Sequence, residues 1–205
     1  MKNIISIFIV ISIFTYSIQA QNETNKFRIG LVTSFEINTS SKYVSFDQYT
    51  GYSADYDKFN YRLGLNFEYS LRKNISINSA INYSNKDFTG TYYCAVCDFI
   101  APINPKNINF RFIEVPLTIR YYFLPDNIKL FGVLGFNNLF LLNREVTDYS
   151  YGLGIKLGGG IEYELSKKIA MQIILDYNSA ISNFHKESDF KLKSMDVGIG
   201  IMKRL

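Results

Sequence analysis

The sequence predicts an all-β fold, an eight-stranded antiparallel up-and-down transmembrane β-barrel, and three observations carry that expectation. Apolar residues recur at every second position through eight successive segments, which is the period of a strand and not of a helix. The links between segments alternate between tight turns and long loops. Aromatic residues gather at the two ends of the apolar face, with aliphatic residues between them. Composition agrees: the 205 residues suit one domain, 47% are hydrophobic, 16% aromatic and only 20% charged, with 22 Lys and Arg against 18 Asp and Glu. A mean hydropathy near zero with so few charges excludes a disordered tail and a basic nucleic-acid-binding arm.

Residues 1–20 read as a cleaved export signal, with Lys2 at the charged start, a nearly unbroken apolar run from Ile4 to Phe14, and Ala20 as the small residue before the cut. Thr15, Tyr16, Ser17 and Gln19 make the run too short for a membrane anchor, which needs about 20 apolar residues. No Cys follows Ala20, so the segment is not a lipoprotein signal. The single mature domain is expected at 21–205.

The first strand sets Phe27, Ile29, Leu31, Phe35 and Ile37 against Arg28, Gly30, Ser34 and Glu36. The second, 59–71, alternates most strictly, with Phe59, Tyr61, Leu63, Leu65, Phe67, Tyr69 and Leu71 opposing Arg62, Gly64, Asn66 and Glu68. The third opposes Ile75, Ile77, Ile81 and Tyr83 to Ser76, Asn78, Asn82 and Ser84. The fourth opposes Ile113, Val115, Leu117, Ile119, Tyr121 and Phe123 to Glu114, Pro116, Thr118 and Arg120. The fifth, about 128–142, has blurred faces because of Gly132, Gly135 and the apolar run Leu139 to Leu142. In the sixth, Tyr151, Leu153, Ile155, Leu157, Ile161 and Tyr163 face away from Lys156, Glu162, Glu164 and a row of glycines. The seventh has Ile169, Met171, Ile173, Leu175 and Tyr177 opposite Gln172, Asp176 and Asn178, and the eighth, from about Leu192, turns Met195, Val197, Ile199 and Ile201 one way. Tight turns fall at 72–74, 124–127 and 166–168; the longer links are 38–58, 85–109, 143–149 and 183–190.

An exported barrel of this size is either soluble, with its apolar face inward, or lipid-embedded, with that face outward. The polar face decides. It holds Asn, Ser, Gly and charges of both signs, where the outer face of a soluble barrel would be rich in Lys and Glu. The apolar face carries a girdle at each end: Phe27, Phe35, Phe59, Tyr61, Phe67, Tyr69, Tyr83, Tyr121, Phe123, Tyr151, Tyr163 and Tyr177. A strand of about eleven residues at roughly 3.3 Å each, tilted about 40°, reaches on the order of 28 Å, enough to cross the hydrocarbon layer.

The segment 112–123, Phe-Ile-Glu-Val-Pro-Leu-Thr-Ile-Arg-Tyr-Tyr-Phe, and the later Gly158-Gly159-Gly160-Ile161-Glu162-Tyr163 resemble the PorT-like outer-membrane β-barrel domain abundant in Bacteroidetes-type bacteria. The resemblance covers the mature chain. It implies the outer membrane of a Gram-negative bacterium, periplasmic turns and termini, and extracellular loops; it implies no activity. The C-terminal Met202-Lys203-Arg204-Leu205 departs from the family in lacking a terminal aromatic residue.

Eight strands leave an interior just filled by side chains. The inward charges are Arg28, Glu36, Arg62, Glu68, Glu114, Arg120, Lys156, Glu162, Glu164 and Asp176, with Asp196 beside them. Buried carboxylates require paired cations, so a salt-bridged plug is expected, with Glu114, Arg120, Arg62 and Glu162 in one network. A charge-lined conducting path is the sharper alternative.

Cys94 and Cys97 form a lone CxxC in a long loop of an exported chain. A local disulfide is the expected reading, because one CxxC and a single His do not make a four-ligand zinc site. His185-Lys186-Glu187-Ser188 holds triad residue types without a nucleophile motif and reads as a solvated loop. Asn22, Asn38, Asn74 and Asn82 begin Asn-X-Ser/Thr sequons, which matter only after eukaryotic secretion. The glycines of 152–160 alternate along a strand with no GK[ST] after them, so they are not a phosphate loop. No cofactor or metal is called for. Tyr43, Tyr49, Tyr52, Tyr56, Tyr92, Tyr93 and Tyr149 enrich the loops, which suits contact with a protein or glycan partner, chiefly at 38–58 and 85–109. Arg72, Lys73, Lys167, Lys168, Lys203 and Arg204 gather at the turn end. The expectation is a non-catalytic surface or envelope protein, in contact with outer-membrane lipids and lipopolysaccharide, acting through its loops or as an accessory to secretion or assembly. A narrow channel and a lipid-modifying enzyme are the alternatives.

Overall fold

In the computed structural model, which describes residues 26–41, 43–45, 50–94, 105–123, 128–143, 149–183 and 191–205, the alternation closes into a cylinder. Its strands are β1 (Phe27–Asn38), β4 (Asn60–Arg72), β5 (Ile75–Asn85), β8 (Arg111–Tyr122), β9 (Ile128–Leu141), β10 (Tyr151–Glu164), β11 (Ile169–Ala180) and β12 (Lys193–Arg204). They are hydrogen-bonded in the closed order β1-β12-β11-β10-β9-β8-β5-β4, each antiparallel to its neighbours. β1 and β12 seal the barrel through a register running from Arg28↔Arg204 to Asn38↔Ser194. Closure leaves no strand edge facing lipid, the condition for spanning a bilayer with sheet.

Inside and outside follow from the period of two. Leu31, Leu65, Ile81, Leu117, Ile119, Leu157, Ile173 and Ile199 are exposed on the outer wall, with aromatic residues above and below them. Phe27 pairs with Tyr69 at the turn end and Phe35 with Tyr61 at the loop end. Phe67 and Tyr83 are half-buried within the same outer surface. Facing inward, Gly158 makes room for its neighbour, since a Cβ there would overlap the Asp176 carboxylate. Pro116 donates no ladder bond, and the β5–β8 register lapses between Ser79↔Leu117 and Asn82↔Glu114; the Ser79 hydroxyl donates to the Pro116 carbonyl at 3.0 Å.

The structure supplies the phase of the fifth strand and corrects the reading of two links. β9 turns its even-numbered residues outward, Leu130, Leu134, Phe136 and Phe140, and its odd-numbered Phe131, Val133, Asn137, Leu139 and Leu141 inward. Its phase was blurred because the inward face is itself largely apolar. The links 38–58 and 85–109 are not simple loops: β2 (Tyr43–Ser45), β3 (Thr50–Asp55), β6 (Phe88–Cys94) and β7 (Lys106–Ile108) form a second sheet in the order β2-β3-β6-β7 at the loop end.

Candidate functional site

From turn end to loop end the lumen is filled in layers, each supplied by inward positions of several strands. At the turn end Arg28 of β1 spans two carboxylates, donating to Glu162 at 2.7 Å and to Glu68 at 2.8 Å. Arg120 donates to the same Glu68 at 2.9 Å and stacks its guanidinium 4.2 Å from the centre of the Phe131 ring. The Tyr122 hydroxyl accepts from Arg28 at 2.6 Å and donates to Glu68 at 3.0 Å, and Gln172 donates to Glu162 at 2.6 Å. These are charge-assisted bonds among groups almost fully removed from solvent, the condition under which an ion pair holds its geometry.

A thinner layer follows. Val32, Val133 and Ile174 share it with Asn66, Asn78 and Thr118 around a cavity of about 40 Å³. A water needs roughly 10–15 Å³ of such space, so this is a pocket of only a few waters' size with a mixed apolar and polar lining.

Above it Arg62 of β4 donates to Asp196 at 2.9 Å and to Asp176 at 3.2 Å, and lies 3.8 Å from Glu114. Lys156 pairs with Asp176, while Lys86 pairs with Glu36 and, at 3.1 Å, with Glu114. Ser84 and Asn137 complete Glu114 at 2.6 and 2.9 Å.

The mouth is closed by an apolar lid. Phe88, Ile108 and Phe112 are wholly buried, and with Phe110, Leu139, Leu141, Ala180 and Leu192 they form one cluster beneath the second sheet. The Phe88 and Phe110 rings meet edge-on at 5.7 Å, and Tyr56 covers Phe88 at 5.6 Å. Asp87 fixes this turn by accepting from the Phe110 amide at 2.9 Å, while its own amide donates to Asn60. The Tyr56 hydroxyl donates to the Ser41 carbonyl at 2.7 Å, and desolvation raises its phenol to about 12. On the outer side of the lid Tyr43 and Tyr93 meet edge-on at 5.9 Å. Their register partners are Ser53 and Gly51.

The ion pairs therefore gather in two groups, not one. Arg62 and Glu114 belong to the upper group and Arg120 and Glu162 to the lower, with the pocket between them. Glu164 sits at the rim of the lower group: it is half-buried at the turn end, held by Lys129, which also lies 3.8 Å from Glu162, and is 3.6 Å from Arg204. Lys86 and Lys129 are lumen cations that sequence reasoning missed. Lys86 had a readable signal, because it continues the inward parity of Asn82 and Ser84. Lys129 sits on β9, whose phase was obscured. Cys94 ends β6 and is disulfide-bonded. Cys97, Tyr49 and the 185–188 cluster lie outside the described residues.

Comparison with known proteins places this geometry among membrane barrels. A family model described as outer membrane protein beta-barrel domain matches residues 6–202. No curated protein matches the chain. Among solved structures, outer membrane protein OprG from Pseudomonas aeruginosa is similar with a TM-score of 0.56 at 13% identity, over 88% of this chain and 97% of that one. Neisserial surface protein A gives 0.53 at 13% identity, over 90% of this chain and 100% of the other. Outer Membrane Protein W of E. coli gives 0.52 at 14% identity, over 90% and 100%. At these identities the likeness is one of fold.

Proposed function

The chain belongs to the outer membrane protein beta-barrel domain family, and on that premise we propose that it is a non-catalytic surface protein that makes contacts through the sheet at its loop end. One observation carries this reading. The lumen is filled by two ion-paired layers and an apolar lid, while the lid supports a small sheet bearing Tyr43, 59% exposed, beside Tyr93. A rigid base under an aromatic and hydroxyl-bearing face suits recognition, because tyrosine contributes contact area for little lost rotamer freedom. The partner is a protein or a glycan. In this reading residues 1–20 are a cleaved export signal, the termini and short turns lie in the periplasm, and the sheet projects through lipopolysaccharide. In the same reading the chain is a PorT-like member of that family, which the likeness of the Glu114-Val115-Pro116 and Gly158-Gly159-Gly160 segments supports.

The test is affinity capture from native outer membranes, run in parallel with wild type and a Tyr43→Ser/Tyr93→Ser variant. A stoichiometric protein or glycan companion held by wild type and lost by the variant is expected. Steady single-channel conductance of the purified protein, or a lipid product dependent on it by mass spectrometry, would overturn the reading in favour of a channel or an enzyme.

A further inference from the structure

The turn end carries a charge distribution that its fold does not need. Arg72 and Lys73 occupy the turn between β4 and β5, Lys167 and Lys168 the turn between β10 and β11, and Lys203 and Arg204 the end of β12. In the closed strand order β5-β4-β1-β12-β11-β10 are consecutive, so these turns and strand ends lie along an arc of six of the eight strands. All but the half-exposed Arg204 are exposed. On the other two strands, β8 and β9, the residues presented outward at this end are Tyr121, Phe123, Ile128 and Leu130, while Lys129 is engaged with Glu164. Of the described carboxylates toward this end, Glu68 and Glu162 are buried in the lumen, and Glu164 is partly neutralised by Lys129 and Arg204. The result is a basic crescent along the turn-end rim that leaves out β8 and β9.

Its position selects the ligand. Exposed aliphatic side chains alternate with the cations, with Leu71 before Arg72, Leu165 and Ile169 around the lysine turn, and Leu205 after Arg204. The girdle residues Phe27, Tyr69 and Tyr163 lie next along the wall and mark headgroup depth. Cations on flexible stems at that depth reach phosphates while their neighbours stay in acyl chains. We propose that this crescent binds the phosphates of anionic glycerophospholipids in the leaflet that meets the turn end. The complementarity is one-sided, positive protein against negative lipid, and orients the barrel about its own axis relative to bound lipid.

The test uses the whole detergent-solubilised protein and native mass spectrometry, titrating phosphatidylglycerol and, separately, phosphatidylethanolamine. A Lys167→Gln/Lys168→Gln/Lys203→Gln variant is compared with Lys106→Gln/Lys191→Gln/Lys193→Gln, which removes equal charge from exposed loop-end positions. Wild type is expected to prefer phosphatidylglycerol; removing three crescent charges should weaken its Kd about a hundredfold, with the loop-end variant unchanged. No preference for the anionic lipid, a preference that survives the crescent variant, or equal loss in both variants would overturn the proposal. So would tight binding of soluble poly-glutamate that phosphatidylglycerol does not displace, which would assign the crescent to an acidic polymer.

Discussion

Arg62 holds the upper lumen together. It is the donor to Asp196 and Asp176 and lies near Glu114, all of them buried. Of these, Glu114 keeps Lys86 and Asp176 keeps Lys156, but among the described residues Asp196 retains the Asn178 amide and no cation. Arg62→Met should therefore cost about 3–5 kcal/mol, the penalty of leaving a buried charge without its partner. Arg120→Met should cost less, about 1–3 kcal/mol, because Glu68 keeps Arg28 and the Tyr122 hydroxyl. Urea unfolding in phospholipid vesicles, followed by circular dichroism, ranks the two; equal midpoints would contradict this division of the lumen. The acidic and basic residue types were readable from parity alone. Their partners were not, since sequence alternation shows which wall position faces inward but not the stagger that sets which strand's cation meets which carboxylate.

At the scale of the element, β9 shows where a simple pattern misleads. A strand whose lumen face packs Phe131 against Tyr122 and supplies Leu139 and Leu141 to the lid is apolar on both sides, so the period of two loses contrast. Nitroxide scanning along 130–136 should find oxygen accessibility high at 130, 134 and 136 and low at 131, 133 and 135; the opposite phase would refute the register. Leu134→Arg should cost about 2–4 kcal/mol if that side chain sits near the bilayer midplane. The sheet of β2, β3, β6 and β7 escaped notice for a related reason. Its strands are short and rich in Tyr, Ser, Thr and Gly, residues equally at home in loops, and only pairing such as Tyr52↔Tyr92 across forty residues of chain reveals them. The eight wall strands were legible because each spends a dozen or so residues between two chemically opposed media, and their ends shifted by only a residue or two.

For the whole molecule, the order of the layers decides whether anything passes through. From the loop end inward the barrel holds the Phe88, Phe110 and Phe112 cluster, then the Lys86–Glu36–Glu114 cluster, then Arg62, and finally the Arg28–Glu68–Glu162 group. Dry apolar constriction and neutralised charge both raise the barrier to permeation. Phe88→Ala/Phe110→Ala removes one of these closures and leaves the others. Each truncation should cost about 3–5 kcal/mol of lid stability, visible as faster hydrogen exchange in β3 and β6 with little change in the wall strands. Planar-bilayer conductance should remain at baseline in the same variant, because Arg62 with Asp176 and Asp196, and the Arg28–Glu68–Glu162 group below them, are held by wall strands, even where Lys86, which follows β5 and donates its amide to Phe110, moves with the lid. If removing two rings opened a steady pore, the charged layers would have to be hydrated and mobile, and the barrel would be a gated channel whose lid is the gate.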